Sequence, residues 1–213
     1  MTDPLFLADL TGELSPGGLV VVTGEEAHHA VAVKRVSVGE NVLIDRTVRV
    51  YGANRISVAS NVRIDAYSVL SAGIGGIDIG NHVHIGVYVF LSGAGRIELH
   101  DFAGLSGRVS IYSSNDDYGG NALTGPTIPD SLRRVTSAPV VVGKHAVLGA
   151  GAVVLPGVSI FEGACVGALS LVKRSVPSFT IAAGQPARVV GARKRDFLAL
   201  EERLREFGSG HEE

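Results

Sequence analysis

Two groups of side chains in this sequence are of types that could do chemistry. The first is a polar run, Ser113-Ser114-Asn115-Asp116-Asp117-Tyr118-Gly119-Gly120, continued through Thr124-Gly125-Pro126 to Arg133-Arg134. Its carboxylates, amide, phenol and guanidinium groups can bond hydroxyls, hold charge and take up protons. A stretch of this length inside a compact domain is functional or disordered rather than a simple turn, and this mix favours function. The second group is His82, His84 and His100, a residue type whose proton equilibrium lies near neutral pH. Three histidines could also hold zinc, provided that they share a face. The adjacent pair His28 and His29 lacks other ligand types and reads as surface or docking residues. The one cysteine, Cys165, excludes an intramolecular disulfide and a cysteine-rich metal site, and reads as a small packed residue.

The elements that must position these groups follow from aliphatic residues spaced six apart. Val142, Leu148, Val154, Ile160, Val166 and Val172 recur without a gap, and the same step runs through Val38, Ile44, Val50, then Val58, Ile64, Leu70, then Ile79, Ile85, Leu91, then Leu99, Leu105, Ile111. A six-residue period is too short for paired helices and matches the hexapeptide repeat of a parallel β-helix, one short strand and one corner per step. After every third rung the step lengthens, to eight, nine and eight residues and then to 31, which is a hexapeptide plus a 25-residue insertion. Three hexapeptides therefore make a coil, and the extra residues stack along one edge of a three-sided prism of about six coils. Gly73, Gly75, Gly76, Gly93 and Gly95 would supply turns on that edge through positive φ. His84 flanks Ile85 and points outward, with Arg63 one coil before it and Gly104 one coil after, leaving space above the imidazole. His100 flanks Leu99 and falls on another face, which weakens the zinc reading. The insertion is expected to stand beside the column containing His84.

Residues 1–35 lie outside the ladder. Pro4-Leu5-Phe6-Leu7 and Leu19-Val20-Val21-Val22 read as short strands and Glu25 to Ala30 as a helical turn, together a cap on the first coil. After Val172 the pattern dissolves, Gly184-Gln185-Pro186-Ala187-Arg188 reads as an ordered turn, and residues 192–207 read as a helix. Its apolar stripe would be Phe197, Leu198, Leu200, Leu204 and Phe207, with Gly208 as the stop and a frayed end beyond. The expected division is a cap over 1–35, an all-β β-helix over 36–190 with an excursion at about 113–139, and a C-terminal helix and tail over 191–213.

Composition agrees with one solenoid. Hydrophobic residues reach 46% while aromatics stay at 6%, and 28 glycines serve many tight corners. A net charge of −2 gives no bulk attraction to nucleic acid or an anionic membrane, so neither partner is expected. No 18-residue apolar window and no basic-then-apolar start are present, so a cytoplasmic protein without membrane insertion is expected.

Hexapeptides in sets of three, a loop after the fourth coil, the run Gly149-Ala150-Gly151-Ala152-Val153-Val154-Leu155-Pro156-Gly157-Val158 and the ending Ala183-Gly184-Gln185-Pro186-Ala187-Arg188 resemble the hexapeptide-repeat acyltransferases. Within them the chain looks like the sugar and galactoside O-acetyltransferase branch, over roughly residues 36–193. The resemblance implies a left-handed coil, a homotrimer with active sites between subunits, and acetyl-CoA as acyl donor. It implies acetyl transfer to a hydroxyl of a sugar, glycan or nucleotide-linked sugar, as in polysaccharide biosynthesis. N-acetylation of an amino-sugar nucleotide is the first alternative, and a non-catalytic or metal-binding β-helix the second.

Such transfer needs a base to take the proton from the attacking group and donors to steady the oxyanion, with no covalent enzyme intermediate. In the family the base is usually a histidine of the excursion loop, in a run like Thr-x-x-His-Pro; here the matching position is about Asp116, and no histidine lies between His100 and His145. His84 is the leading replacement. Asp116 or Asp117, with a pKa raised by burial or by the other acid, is the second, and His82 or His145 from a neighbouring subunit the third. Asn115 joins the catalytic set, and Asp117, Tyr118 and Arg133 are candidates for the acceptor pocket. For the acyl donor the resemblance points to Gly149, Ala150, Gly167 and Ala168 along the pantetheine arm. Ala183, Gly184, Arg188 and Lys173 would meet the nucleotide end, where a fixed cation suits phosphate.

Overall fold

The computed structural model describes residues 36–209. The expected cap strands, the turn with His28 and His29, and the last residues of the tail lie outside the described residues. Within them, 17 of the 18 ladder positions are buried, and Ile44 packs partly buried against them. Each hexapeptide also turns a second residue inward, two places before the rung: Val42, Val62, Val83, Ala103, Ala146 and Ala164 form one such column. The interior is thus aliphatic except at Ser68 and Ser170, which take the same inward place before Leu70 and Val172, and burial of the aliphatic side chains is the main stabilising term.

Three parallel sheets form the prism. The first contains Ser37–Val38, Ile56–Val58, Ile77–Ile79, Ile97–Leu99, Val140–Val142 and Ser159–Ile160. The second runs from Leu43–Ile44 through Arg63–Ile64, His84–Ile85, Gly104–Leu105 and Val147–Leu148 to Cys165–Val166. The third contains Arg49–Tyr51, Val69–Ala72, Phe90–Gly93, Ser110–Tyr112, Val153–Val154 and Leu171–Val172. Each coil visits them in that order, so we name the first, second and third edges after the sheet that each one follows. The coils do not stop at Val172: Val176 bridges Ile160, and Thr180–Gly184 pairs in parallel with Cys165–Val166, beginning a seventh turn.

The edges differ in how they turn. Non-glycine residues with positive φ line the first edge (Asn41, Asn61, His82, Phe102, His145) and the second (Tyr67, Tyr88, Arg108, Leu169). On the third edge Gly76 has the expected positive φ of 81°, but Gly75 is required by close approach, since a Cβ there would stand 2.4 Å from the Arg96 nitrogen of the next coil.

The C-terminal segment departs from expectation. Ala187–Ala192 is a strand that folds back antiparallel on Thr180–Gly184, so the hairpin occupies the start of the stretch read as helix. The β-branched Val189 and Val190 suit that ladder. The helix spans Phe197–Ser209, passing through Gly208. Its apolar stripe is not buried: Leu200, Leu204 and Phe207 are exposed, and the inward residue is Glu201. Lys144 Nζ and His145 Nε2 each lie 2.6 Å from the Glu201 carboxylate, Arg205 binds it too, and Phe197 lies against His145. Ion pairing and ring contacts dock this helix on the first edge.

Candidate active site

The long excursion leaves the third edge after Ser110–Tyr112 and returns at Val140. Its base is closed by an antiparallel pair, Ser114–Asn115 with Thr136–Ser137, which places Asn115 opposite Thr136. Ser113, buried beneath this pair, donates from Oγ to the Gly95 carbonyl at 2.7 Å.

The two acids that follow have different surroundings. Asp116 is half-buried and makes no hydrogen bond or ion pair among the described residues. Asp117 accepts the Gly119 N–H at 2.8 Å and the Asn121 N–H at 2.6 Å. The Gly119 bond is the largest influence on its carboxyl, and with the Asn121 bond it holds the pKa below the ordinary value. The expectation of a raised pKa at Asp117 is therefore corrected: hydrogen bonding to the ionised form outweighs the little desolvation available. Tyr118 is 88% exposed, and Arg133 is paired with Asp130 through Nε at 2.7 Å.

His84 stands on the second sheet between Arg63 and Gly104, in the register read from the ladder. The space above it is real, since a Cβ added at Gly104 would meet Val147 Cγ2 at 3.9 Å. Its Nε2 lies 2.9 Å from Asp65 Oδ2, while Arg63 Nε donates to Asp65 Oδ1 at 2.6 Å. Desolvation pushes the Asp65 carboxyl up, but the bonds from His84 and Arg63 outweigh it and hold the pKa down. The second sheet is the face opposite the third edge, so within one chain the excursion does not stand beside the His84 column. That expectation is corrected by topology.

The other histidines are otherwise engaged. His82 stacks on Phe102 with ring centroids 4.7 Å apart, and Phe102 stacks on His145 at 4.8 Å. His145 is buried under the helix of its own chain, where it meets Glu201. His100 faces Glu98 across a shallow groove of about 370 Å³ on the first sheet, where Arg96 already pairs with Asp78 and Glu98. Among the described residues no three potential metal ligands gather.

The residues expected to hold the acyl donor fall into two places. Gly149 and Ala150, Gly167 and Ala168, and Ala183 and Gly184 stack in successive coils along the second edge, tied by Gly149 N to Val166 O and Gly167 N to Ala182 O, both 2.8 Å. Gly149 is demanded by this stacking, because a Cβ would lie 2.5 Å from Ala168 N. Gln185 at the hairpin tip donates to the Leu169 carbonyl at 2.6 Å, fixing the tip on the same edge. Arg188 is exposed on the hairpin strand, with Nη1 on the Ala187 carbonyl. Lys173 follows Leu171–Val172 on the third edge, across the third sheet, and does not join the others within one chain.

A prism of stacked hexapeptides, with a polar excursion on one edge and a small-residue track ending in a hairpin on another, defines an acyltransferase of the solenoid class. Comparison makes the assignment specific. The chain is 46% identical over 165 residues to the dTDP-4-amino-4,6-dideoxy-D-glucose acyltransferase of Escherichia coli, covering 78% of this chain and 86% of that one. It is 40% identical to AntD, an N-acyltransferase from Bacillus cereus solved with dTDP and 3-hydroxybutyryl-CoA, at a TM-score of 0.77 over 81% of this chain and 90% of the other. A lipopolysaccharide biosynthesis O-acetyl transferase of Escherichia coli K12 is 30% identical, over 61% of this chain and 64% of its own. No family model matches the chain. The chain belongs to the hexapeptide-repeat acyltransferase family and shares its left-handed β-helix. No helix among the described residues is long and apolar enough to cross a membrane.

Proposed function

We propose that the protein is an acyl-CoA-dependent N-acyltransferase whose acceptor is the amino group of a dTDP-linked 4-amino-4,6-dideoxy sugar. The observation that carries this is the 46% identity along most of the length of a transferase named for that acceptor. AntD has been solved with dTDP-4-amino-4,6-dideoxyglucose and coenzyme A together, which supports the same pairing of substrates. The hydroxyl acceptor expected from the galactoside-like motifs becomes the lesser reading.

The reaction asks little covalent work of the protein. The neutral amine nitrogen attacks the thioester carbonyl carbon, the C–S bond breaks as the amide forms, and the one proton the nitrogen loses is taken by a base and passed to the departing sulfur, so that coenzyme A leaves as thiol. We assign that proton to Asp116. Structures of AntD carry substitutions at a serine and at an aspartate ten residues further on. Two described pairs in this chain have that spacing, Ser68 with Asp78 and Ser106 with Asp116. Ser68 is fully buried and bonded to Gly86 O and Val89 N, which takes it out of reach of a substrate. That leaves Ser106, half-buried on the second edge one coil before Gly149 and so beside the start of the acyl-donor track. A lone serine in a corner carries no sequence signal of its own, and composition could not have singled it out. His84, already bound to Asp65, faces the acceptor as an orienting group in this scheme. The excursion of one chain and the second edge of another would complete each site, as in the homotrimer expected from the family.

The test is thiol release from acetyl-CoA and from 3-hydroxybutyryl-CoA with three acceptors: dTDP-4-amino-4,6-dideoxyglucose, its 4-hydroxy counterpart and simple galactosides. Release should require the amino sugar. Turnover of the hydroxyl acceptors with none of the amine would return the assignment to O-acetylation.

A further inference from the structure

The aromatic rings on the two strained edges have opposite fates. On the first edge His82, Phe102 and His145 stack in left-handed backbone positions, and Phe197 of the helix covers the His145 end of that stack while His82 at the other end is exposed. On the second edge Tyr67 and Tyr88 stack in the same backbone state, φ 60° and 58°, with ring centroids 5.0 Å apart and planes within 15°. Nothing among the described residues covers them: they are 55% and 53% exposed. A bulky residue at positive φ is costly, and Asn41 and Asn61 show the cheaper choice at equivalent corners. Packing compensates for the strain at Phe102 and His145 on the first edge, and among the described residues it does not at Tyr67 and Tyr88.

What lies along that edge defines an occupant. Counting coils of about 4.8 Å each, Tyr88 is one step before Ser106 and Tyr67 two, while the acyl-donor track begins one step after it. Arg108 occupies the next corner beyond Tyr88, exposed and without a carboxylate partner among the described residues. The nearby Asp65 carboxylate is already paired with Arg63 and His84. The edge thus presents, in order, two uncovered stacked rings, an unpaired guanidinium and the small-residue track.

We propose that Tyr67 and Tyr88 form the stacking platform for the pyrimidine of the acceptor nucleotide, and that Arg108 holds its diphosphate. This rests on the nucleotide-sugar reading above and extends it to a subsite. The sugar would then extend toward Ser106 and meet the acyl donor arriving from the opposite end of the same edge. Stacking on an aromatic face contributes about 1–3 kcal/mol per base, and a fixed guanidinium supplies the matching cation.

The experiment is calorimetric titration of the full chain with dTDP alone and with thymidine alone, with the oligomeric state followed by light scattering. Tyr67→Leu and Tyr88→Leu keep apolar bulk but remove the ring; each should weaken both ligands about 10- to 100-fold at unchanged assembly. Arg108→Ala should weaken dTDP and leave thymidine unaffected. Wild-type binding of dTDP that survives both tyrosine changes would overturn the platform while leaving the acceptor assignment intact. Dissociation of the assembly in both variants would overturn it as well, making the rings a contact between copies. No binding of dTDP by the wild type would remove the acceptor reading and the subsite together.

Discussion

Asp116 and Asp117 show how far adjacent residues of one type can diverge. The Asp117 carboxylate is spent on the turn that follows it, bound by two backbone N–H groups, and a base held below its ordinary pKa is a weak one. Asp116, with no partner among the described residues, has its lone pairs available for the role proposed for it. Asp116→Asn should lower kcat by about 100-fold or more, the lower range for loss of a general base, with the KM for acyl-CoA little changed. Asp117→Asn should loosen the excursion and act mainly on the acceptor KM. His84→Gln discriminates further. An orienting histidine predicts a raised acceptor KM with the pH profile of kcat preserved. Disappearance of the acid-side ionisation from that profile, the limb on which a general base loses its proton, with Asp116→Asn active, would restore His84 as the base.

At the level of elements, the ladder was legible because its rungs are aliphatic and each coil repeats the last, so the breaks in spacing could be assigned to one edge. The seventh turn was missed because the step shortens from Val172 to Val176, which breaks the period. The helix dock was hidden for a different reason: a single carboxylate anchors it, while the leucines that suggested a buried stripe point outward. The excursion was legible as functional from its composition, but its partner face was not, since topology sets it on the edge opposite His84. The anchor has a measurable signature. Desolvation raises the Glu201 pKa, but bonds from Lys144 and His145 and the charges of Lys144 and Arg205 outweigh it, lowering it to about 2 from 4.5. A carboxylate with a depressed folded pKa stabilises the fold above the unfolded value, and that stabilisation is lost as pH falls from about 4.5 toward 2. Protection of the amides over Phe197–Ser209 against hydrogen exchange, taken relative to the intrinsic rate at each pH, should fall across that window in the wild type. In Glu201→Gln that protection should be low already at neutral pH and change little on acidification. An equal pH response in both proteins would assign the docking to the ring contacts alone.

The whole molecule sets the strongest demand on the proposed mechanism. Ser106 lies on the second edge and the excursion with Asp116 springs from the third, so the third sheet and its corners separate them within a chain. A site that uses both must be assembled from two chains meeting edge to edge, in the head-to-tail contact that closes a ring. Chains carrying Ser106→Ala and chains carrying Asp116→Asn should each be nearly inactive as pure assemblies. When the two are co-expressed and mix at random, an interface is intact only where a chain with native Ser106 meets a neighbour with native Asp116. For equal amounts this arises at about a quarter of the interfaces of a cyclic oligomer. The mixed preparation should therefore regain about a quarter of wild-type activity per site, with the KM values of the wild type, because the restored sites are chemically native. Separately purified variants combined without subunit exchange should regain none. Mixed oligomers, verified by mass, that stay as inactive as their parents would place both residues in one chain's site and sink the shared-edge geometry.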